Sequence, residues 1–255
     1  MIFTQLIQTN LRTTELGKKV EYYNRLDSTN NEAWELIEEG KQHGTIVITD
    51  NQFNGKGQKN NSWNMIAGKG LAFSLILDKN YPNKYSGLIS LATGLAVVES
   101  LKKRGVETKL KWPNDIFADD KKLGGILCES KIIENKLKKI VIGVGINVNE
   151  TIFEHPESLR NNLTTMYEIS NHAHQRELIV AEFINSMERQ LYYFSTDTTQ
   201  IINDWLNTCL HLNKIISFYE NGKIIEGVFC GLDNNGFAKI NLNGKIKTYS
   251  SINLI

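Results

Sequence analysis

The sequence predicts an α+β protein: a mixed, largely antiparallel sheet carrying helices, followed by a small C-terminal β-barrel. Three observations predict it. Apolar runs with strand-like alternation recur through the first 150 residues, at 44–50, 71–77, 109–112 and in two long stretches between 123 and 149. Two segments, 85–104 and 175–194, instead repeat apolar residues every three or four positions, as a helix laid on a sheet requires. Beyond Trp205 the runs shorten and are separated by Asn-Gly pairs, the preferred chemistry of two-residue hairpins.

Taken in order, "STNNEAWELIEEGKQHG" from Ser28 reads as a helix, with Thr29 and Glu32 as a capping box and Trp34 and Ile37 opening an apolar stripe. "GTIVITD" is a short buried strand. In "LAFSLIL", Leu71, Phe73, Leu75 and Leu77 alternate with Ala72, Ser74 and Ile76, so both faces are expected to be covered. Leu88, Leu91, Leu95, Val98 and Leu101 form the stripe of the next helix, which stops near Gly105. "TKLKW" follows as a strand with Leu110 and Trp112 on one face and Lys109 and Lys111 on the other; Pro113 then turns the chain. "ADDKK" reads as a hairpin turn. "LGGILCES" and "KLKKIVIGVGINVN" are two long strands joined at Glu134–Lys136. Residues 150–175 read as a surface connection with some local helix. Leu178, Phe183, Met187, Leu191 and Phe194 then mark a second long helix. The domains expected are 1–208 and 209–255, the second too small to be stable without a neighbour to pack on.

Composition narrows the function classes. The 255 residues are 41% apolar and 22% charged, enough for a full core, and the formal charge of +1 gives no global reason to bind nucleic acid or an anionic membrane. No signal-like start and no membrane-length apolar run is present, so a cytoplasmic home is the expectation. Cys128, Cys209 and Cys230 are odd in number and widely spaced, which suggests neither a disulfide framework nor a zinc motif. His172 and His174 have no Cys, Asp or Glu at a ligand-like spacing, and no metal site is expected there.

The chemistry concentrates in polar segments between strands. "NGKGQKNNSW", residues 54–63, joins glycines that bare the backbone to lysines and amides, which suits a phosphate or carboxylate; a mobile solvated loop is the competing reading. It is no Walker loop, since the Gly68-Lys69-Gly70 run has no hydroxyl after its lysine and Trp63 stands where the first glycine belongs. It is no dinucleotide loop either, because Asn60 replaces the third glycine. "KWPNDIFADDKKLGGI", residues 111–126, gathers Lys111, Asn114, Asp115 and Lys122 in one strand-turn-strand unit, with Gly124-Gly125 allowing a ligand to lie on bare backbone. Trp112 is read as core.

"KWPND" with the downstream Lys-x-Gly-Gly, together with "DSTN" at 27–30, "GKGQKNNSW" and "GVGINVN" at 143–149, closely resembles the biotin protein ligases. The motifs stand in the family's order from about residue 22 to 149. The resemblance implies a class II aminoacyl-tRNA synthetase-like catalytic domain followed by an SH3-like barrel. It implies an enzyme that uses ATP and Mg²⁺ to join biotin to AMP, then passes biotin to a lysine of a biotin carboxyl carrier protein.

By the same resemblance, Ser28, Thr29, Asn30, Gln52, Gly55, Lys56, Gly57, Gln58, Lys122 and Gly125 would hold biotin. Lys59, Asn61, Trp63, Asn114 and Asn147 would meet ATP, and Lys111, Lys122 and Asp115 would act at the reacting centre, Asp115 orienting Lys111 or deprotonating the carrier lysine. The sequence departs from the family's Gly-Arg-Gly-Arg-Arg-Gly loop: Lys56 stands for an arginine, Gln58 for another, and Asn60 for a glycine. Lysine lacks the bidentate fork and glutamine lacks charge, so the adenylate is expected to escape faster than from an arginine-rich loop. Only about 25 residues precede "DSTN", too few for the helix-turn-helix of the family's repressors, so no DNA binding is expected; a homodimer is left open. Two readings compete: a lipoate- or octanoate-type acyl ligase, and a non-catalytic ligand-binding module.

Overall fold

The computed structural model describes residues 1–134 and 136–254. The order begins α1 (Thr4–Thr9), β1 (Val20–Tyr23), α2 (Thr29–Glu38), β2 (Ile46–Thr49), then a two-stranded ribbon of β3 (Gly55–Lys56) and β4 (Ser62–Trp63). It continues with β5 (Leu71–Pro82), α3 (Ser86–Lys102), β6 (Lys109–Lys111), β7 (Asp115–Ala118), β8 (Lys121–Ile133) and β9 (Lys136–Ile146). Short helices α4 (Glu157–Arg160) and α5 (Met166–Ser170) precede α6 (Arg176–Thr196) and α7 (Thr198–Thr208). Strands β10 (Ile215–Glu220), β11 (Lys223–Leu232), β12 (Ala238–Leu242), β13 (Lys245–Tyr249) and β14 (Asn253–Leu254) complete it.

The main sheet has the order β1-β2-β5-β9-β8-β7-β6 and is antiparallel except where β1 runs beside β2. As the composition of β5 requires, both of its faces are covered. Leu71, Phe73, Leu75 and Leu77 enter the larger core beneath α3 and α6, where Phe73 meets Phe183 edge-on at 5.0 Å. Ile76 joins Val47 and Val141 on the opposite face, beneath Ala33, Leu36 and Ile37 of α2. The C-terminal strands form an antiparallel sheet of order β13-β12-β11-β10-β14. Its apolar residues Phe218, Phe229 and Ile240 belong to the larger core, and Trp205 of α7 lies 6.5 Å from the Phe229 ring. Asn221-Gly222 and Asn243-Gly244 have positive φ at both positions, as tight hairpins demand.

Three expectations need correction or limits. The capping box does not form: Ser28 is the N-cap of α2 with no side-chain cap bond, because Thr29 is drawn to Gln52 instead. Residues 150–175 are not merely a surface connection, since Thr164, Thr165 and Met166 are buried and the backbone of 162–164 brackets Lys122. The expected turn at Glu134–Lys136 includes Asn135, which lies outside the described residues. Elements α1, β1 and α7 were not anticipated; β1 is only half-buried along its length, so it shows no alternation to read.

Candidate functional site

The face of the sheet that lies under α2 changes character along its strands. Ile76 and Val141 are paired across β5 and β9, but the next rung on that face brings together Ser74, Gly143 and Leu127. The following rung is Ala72, Gly145, Gly125, Asp115 and Lys111. Bulk disappears from β5 and β9 at two consecutive rungs, and a cavity of about 200 Å³ opens there. The glycines are sterically required. A Cβ on Gly143 would lie 2.2 Å from Asn30 Oδ1, and one on Gly145 would lie 2.4 Å from the Trp63 ring.

At one end the wall is polar and uncharged. The Thr29 amide donates to Gln52 Oε1 at 2.8 Å, Ser74 Oγ lies 2.8 Å from Thr29 Oγ1 and 2.6 Å from Asn30 Oδ1, and Asn30 Nδ2 donates to Glu129 at 2.7 Å. Ser28, Thr29, Asn30 and Gln52 all line the cavity and all are buried. Gly55 sits behind this wall: a Cβ there would meet Gln52 Nε2 at 2.4 Å, so its absence of a side chain lets Gln52 take its place.

At the other end the wall is cationic. Lys56, Lys59, Lys111 and Lys122 line it together with one carboxylate, Asp115. Lys56 Nζ donates to Asn31 at 2.5 Å, and Lys111 Nζ stands 5.6 Å from the Phe117 ring centroid. Lys122 Nζ pairs with Asp115 Oδ1 at 2.6 Å. Asp115 is thus engaged by Lys122 across the β7–β8 pair. Lys122 reaches this face through an irregularity of register: Asp115 pairs with Gly125 and Phe117 with Lys122, so three steps along β8 answer two along β7. Such a bulge re-aims a side chain that a regular strand would send to the other face. Bonds from Lys122 N to Asn162 O and from Thr164 N to Lys122 O, both 2.9 Å, hold it from outside the sheet.

Gly57, Gln58, Asn61 and Trp63 also line the cavity, with the β3–β4 ribbon lying over Gly145 through Trp63. Asn114 lines it too, but its amide donates to Ile126 O at 2.7 Å. Asn147 does not reach the main cavity. It lines an adjoining one of about 160 Å³, which shares Ser62, Trp63 and Lys122 with the first and adds His155 and Asn162. Trp63 Nε1 and both ring nitrogens of His155 are buried without a hydrogen-bond partner among the described residues, although His155 Nε2 lies 3.7 Å from the Glu150 carboxylate. Trp112, expected to be simple core, is 3% exposed with its Nε1 donating to Gly236 O, and it also lines the cavity.

Sequence reading missed Ser74, Glu129, Ile252 and Leu254. Ser74 was legible as the polar member of an apolar strand. Glu129, Ile252 and Leu254 carry no local signal, because each reaches the site by tertiary packing: Glu129 through Asn30, and the other two as wall residues delivered by the C-terminal segment.

Residues 22–147 match the model of the Biotin/lipoate A/B protein ligase family. The chain is 28% identical over 250 residues to the bifunctional ligase/repressor BirA of Bacillus subtilis (strain 168), covering 97% of this chain and 77% of that protein. It is 26% identical over 214 residues to the biotin--[acetyl-CoA-carboxylase] ligase of Mycobacterium tuberculosis (strain ATCC 25618 / H37Rv), covering 82% of this chain and 77% of that one. The structure of a biotin protein ligase from Aquifex aeolicus in complex with biotin and ATP superposes with a TM-score of 0.80 at 27% identity, over 93% of this chain and 99% of that one. The matched span contains the cavity residues from Ser28 to Gly145, and on these findings together residues 22–147 form a domain of the biotin/lipoate A/B protein ligase family.

Proposed function

We propose that the chain is a biotin–protein ligase. It activates the biotin carboxylate with ATP, releasing pyrophosphate, and passes the acyl group to a lysine of a biotin carboxyl carrier protein. One observation carries the reading: four lysines from two separate stretches converge on one cavity whose other end is a neutral amide and hydroxyl wall. The relatives named as biotin ligases, and the neighbour crystallised with biotin and ATP, favour biotin over other acids.

The chemistry needs this polarity. Bringing a carboxylate to about 4 Å from a phosphate opposes like charges by roughly 4 kcal/mol at an effective dielectric of 20. The lysine cluster offsets that repulsion and stabilises charge that grows at phosphorus as the carboxylate oxygen bonds to it and the bond to pyrophosphate breaks. The ureido ring of biotin takes the hydroxyl and amide wall at Ser28, Thr29, Asn30 and Gln52. Lys122 holds the carboxylate and the α-phosphate, Lys111 serves the reacting centre, and the base side of ATP extends toward Trp63 and Asn147. Asp115 is the carboxylate on the wall; it suits a single contact to Mg²⁺ carried in on the phosphates, which would neutralise their charge. In the second step the carrier amine attacks the acyl carbon, AMP leaves, and the spare oxygen of Asp115 takes the amine proton. The ribbon from Gly57 to Trp63 excludes water from the mixed anhydride meanwhile.

The test is one incubation of the purified chain with biotin, MgATP and an acceptor domain, followed by intact-mass analysis. One biotinyl group on the acceptor is expected, with an adenylate detectable when the acceptor is omitted. Binding without adenylate, or pyrophosphate release with lipoate or octanoate in place of biotin, would replace this reading with one of its two competitors.

A further inference from the structure

Arg176 opens α6, far in sequence from every residue of the site, and is 6% exposed. Its guanidinium is forked between two acceptors: Nη2 donates to Asp50 Oδ1 at 2.7 Å, and Nη1 donates to the Gly70 carbonyl at 3.0 Å. Those acceptors are the two ends of the segment that carries Gln52, Lys56, Gly57, Gln58, Lys59, Asn61 and Trp63. The Gly68 amide adds a backbone bond to Asp50 O at 2.8 Å, so the stem is closed twice. The other oxygen of Asp50 accepts from Tyr22 Oη at 2.7 Å and from the Ile2 amide at 3.1 Å, which leaves the carboxylate fully engaged and fixed. Burial acts to raise the Asp50 carboxyl, but the Tyr22 and Arg176 hydrogen bonds and the guanidinium charge outweigh it and hold it below the ordinary carboxylate range.

We propose that Arg176 and Asp50 are positioning residues: they clamp both ends of the 51–69 segment and thereby set how tightly the ribbon is held over the cavity. A planar fork spans two acceptors in fixed geometry, whereas an ammonium on a flexible stem reaches one at a time. With the stem pinned, the ribbon closes a short loop; with it released, the same residues sample a longer one and the population of open forms rises. Its consequence for holding an adenylate rests on the ligase reading above. Its consequence for the ribbon itself does not.

The experiment compares Arg176→Lys and Asp50→Asn with the wild type and with Ile201→Val, a core substitution in α7 that serves as a control for destabilisation remote from the clamp. Three quantities are read: trypsin nicking after Lys56 and Lys59 in the folded protein, escape of biotinyl-AMP in single turnover without acceptor, and Tm. Nicking is expected to accelerate about tenfold in both clamp variants, tracking the open population. Adenylate escape is expected to rise several-fold while its formation changes less than twofold, and Ile201→Val is expected to change neither. Nicking and escape no faster than in Ile201→Val would reduce the pair to a structural ion pair and overturn the proposal. Faster nicking in a protein that forms no adenylate would leave the clamp standing and remove the ligase reading instead. Should Arg176→Lys fail to fold, Asp50→Asn alone decides between these outcomes.

Discussion

At the scale of single residues, the site depends on groups that cost the fold little and the chemistry much. Lys122 and Asp115 are 39% and 27% exposed as side chains, so their ion pair contributes little to stability. Lys122→Met is therefore expected to shift stability by no more than about 0.5 kcal/mol. The same change should slow adenylate formation by roughly 10²–10³, the usual cost of losing one preorganised electrostatic partner. Melting and pyrophosphate exchange check the two halves. His211 behaves oppositely. Its ring lies 4.3 Å from that of Phe229, 6% exposed, with neither nitrogen partnered among the described residues. Burial first, and the charges of Lys111 and Lys214 after it, push the imidazole down to about 4. The unfolded chain takes up this proton near pH 6.5 and the folded chain only near 4, so stability is full above about 6.5 and is lost as pH falls through that window. The loss is about 3 kcal/mol for this group. Urea titrations between pH 4 and 7 should show the slope, and His211→Phe should flatten it.

At the scale of elements, the sheet makes its cavity by subtraction and its charge by irregularity. Strands β5 and β9 carry bulky residues under α2 and then small ones, Ser74 and Ala72 opposite Gly143 and Gly145, so the hollow follows from the order of residues along two strands. Lys122 joins Asp115 only because the register of β8 slips beside β7. The β3–β4 ribbon carries Lys56 and Gln58 where the resemblance to biotin ligases leads one to expect arginines. Gln58 lines the cavity without charge, and Gln58→Arg is expected to slow adenylate escape. Equal escape from the two proteins, followed by single-turnover quench, would count against this account of the ribbon.

At the scale of the whole molecule, the main sheet and the C-terminal sheet share one core. Trp205, Phe218 and Phe229 are each no more than 1% exposed and belong to the same cluster as Phe73 and Phe183. Ile252 and Leu254 also line the main cavity. The proposed division at 208/209 thus separates topologies without separating cores. A chain ending at Thr208 would uncover Trp205, and burying a large aromatic is worth about 3–5 kcal/mol, much of a domain's net stability. That truncation is expected to lose cooperative unfolding by circular dichroism and to lose biotin binding. A cooperative transition close to that of the full chain would show that the first unit folds alone.

Short-range patterns specify the fold class, the two long amphipathic helices, the hairpins at Asn221-Gly222 and Asn243-Gly244, and the polar segments that meet at the cavity. These are local properties: periodicity, turn chemistry and motif spacing are written in neighbouring residues. The side-chain geometry was decided elsewhere. Lys122 and Gly125, three residues apart, belong on opposite faces of a regular strand, and only pairing with β7 and the bonds from Asn162 and Thr164 bring them together. Thr29 gave up its cap for Gln52, and Arg176 found Asp50 and Gly70 across more than a hundred residues. Register, bulges and buried polar networks are settled by which distant groups must satisfy one another once the core excludes water, and that requirement exists only in the folded chain.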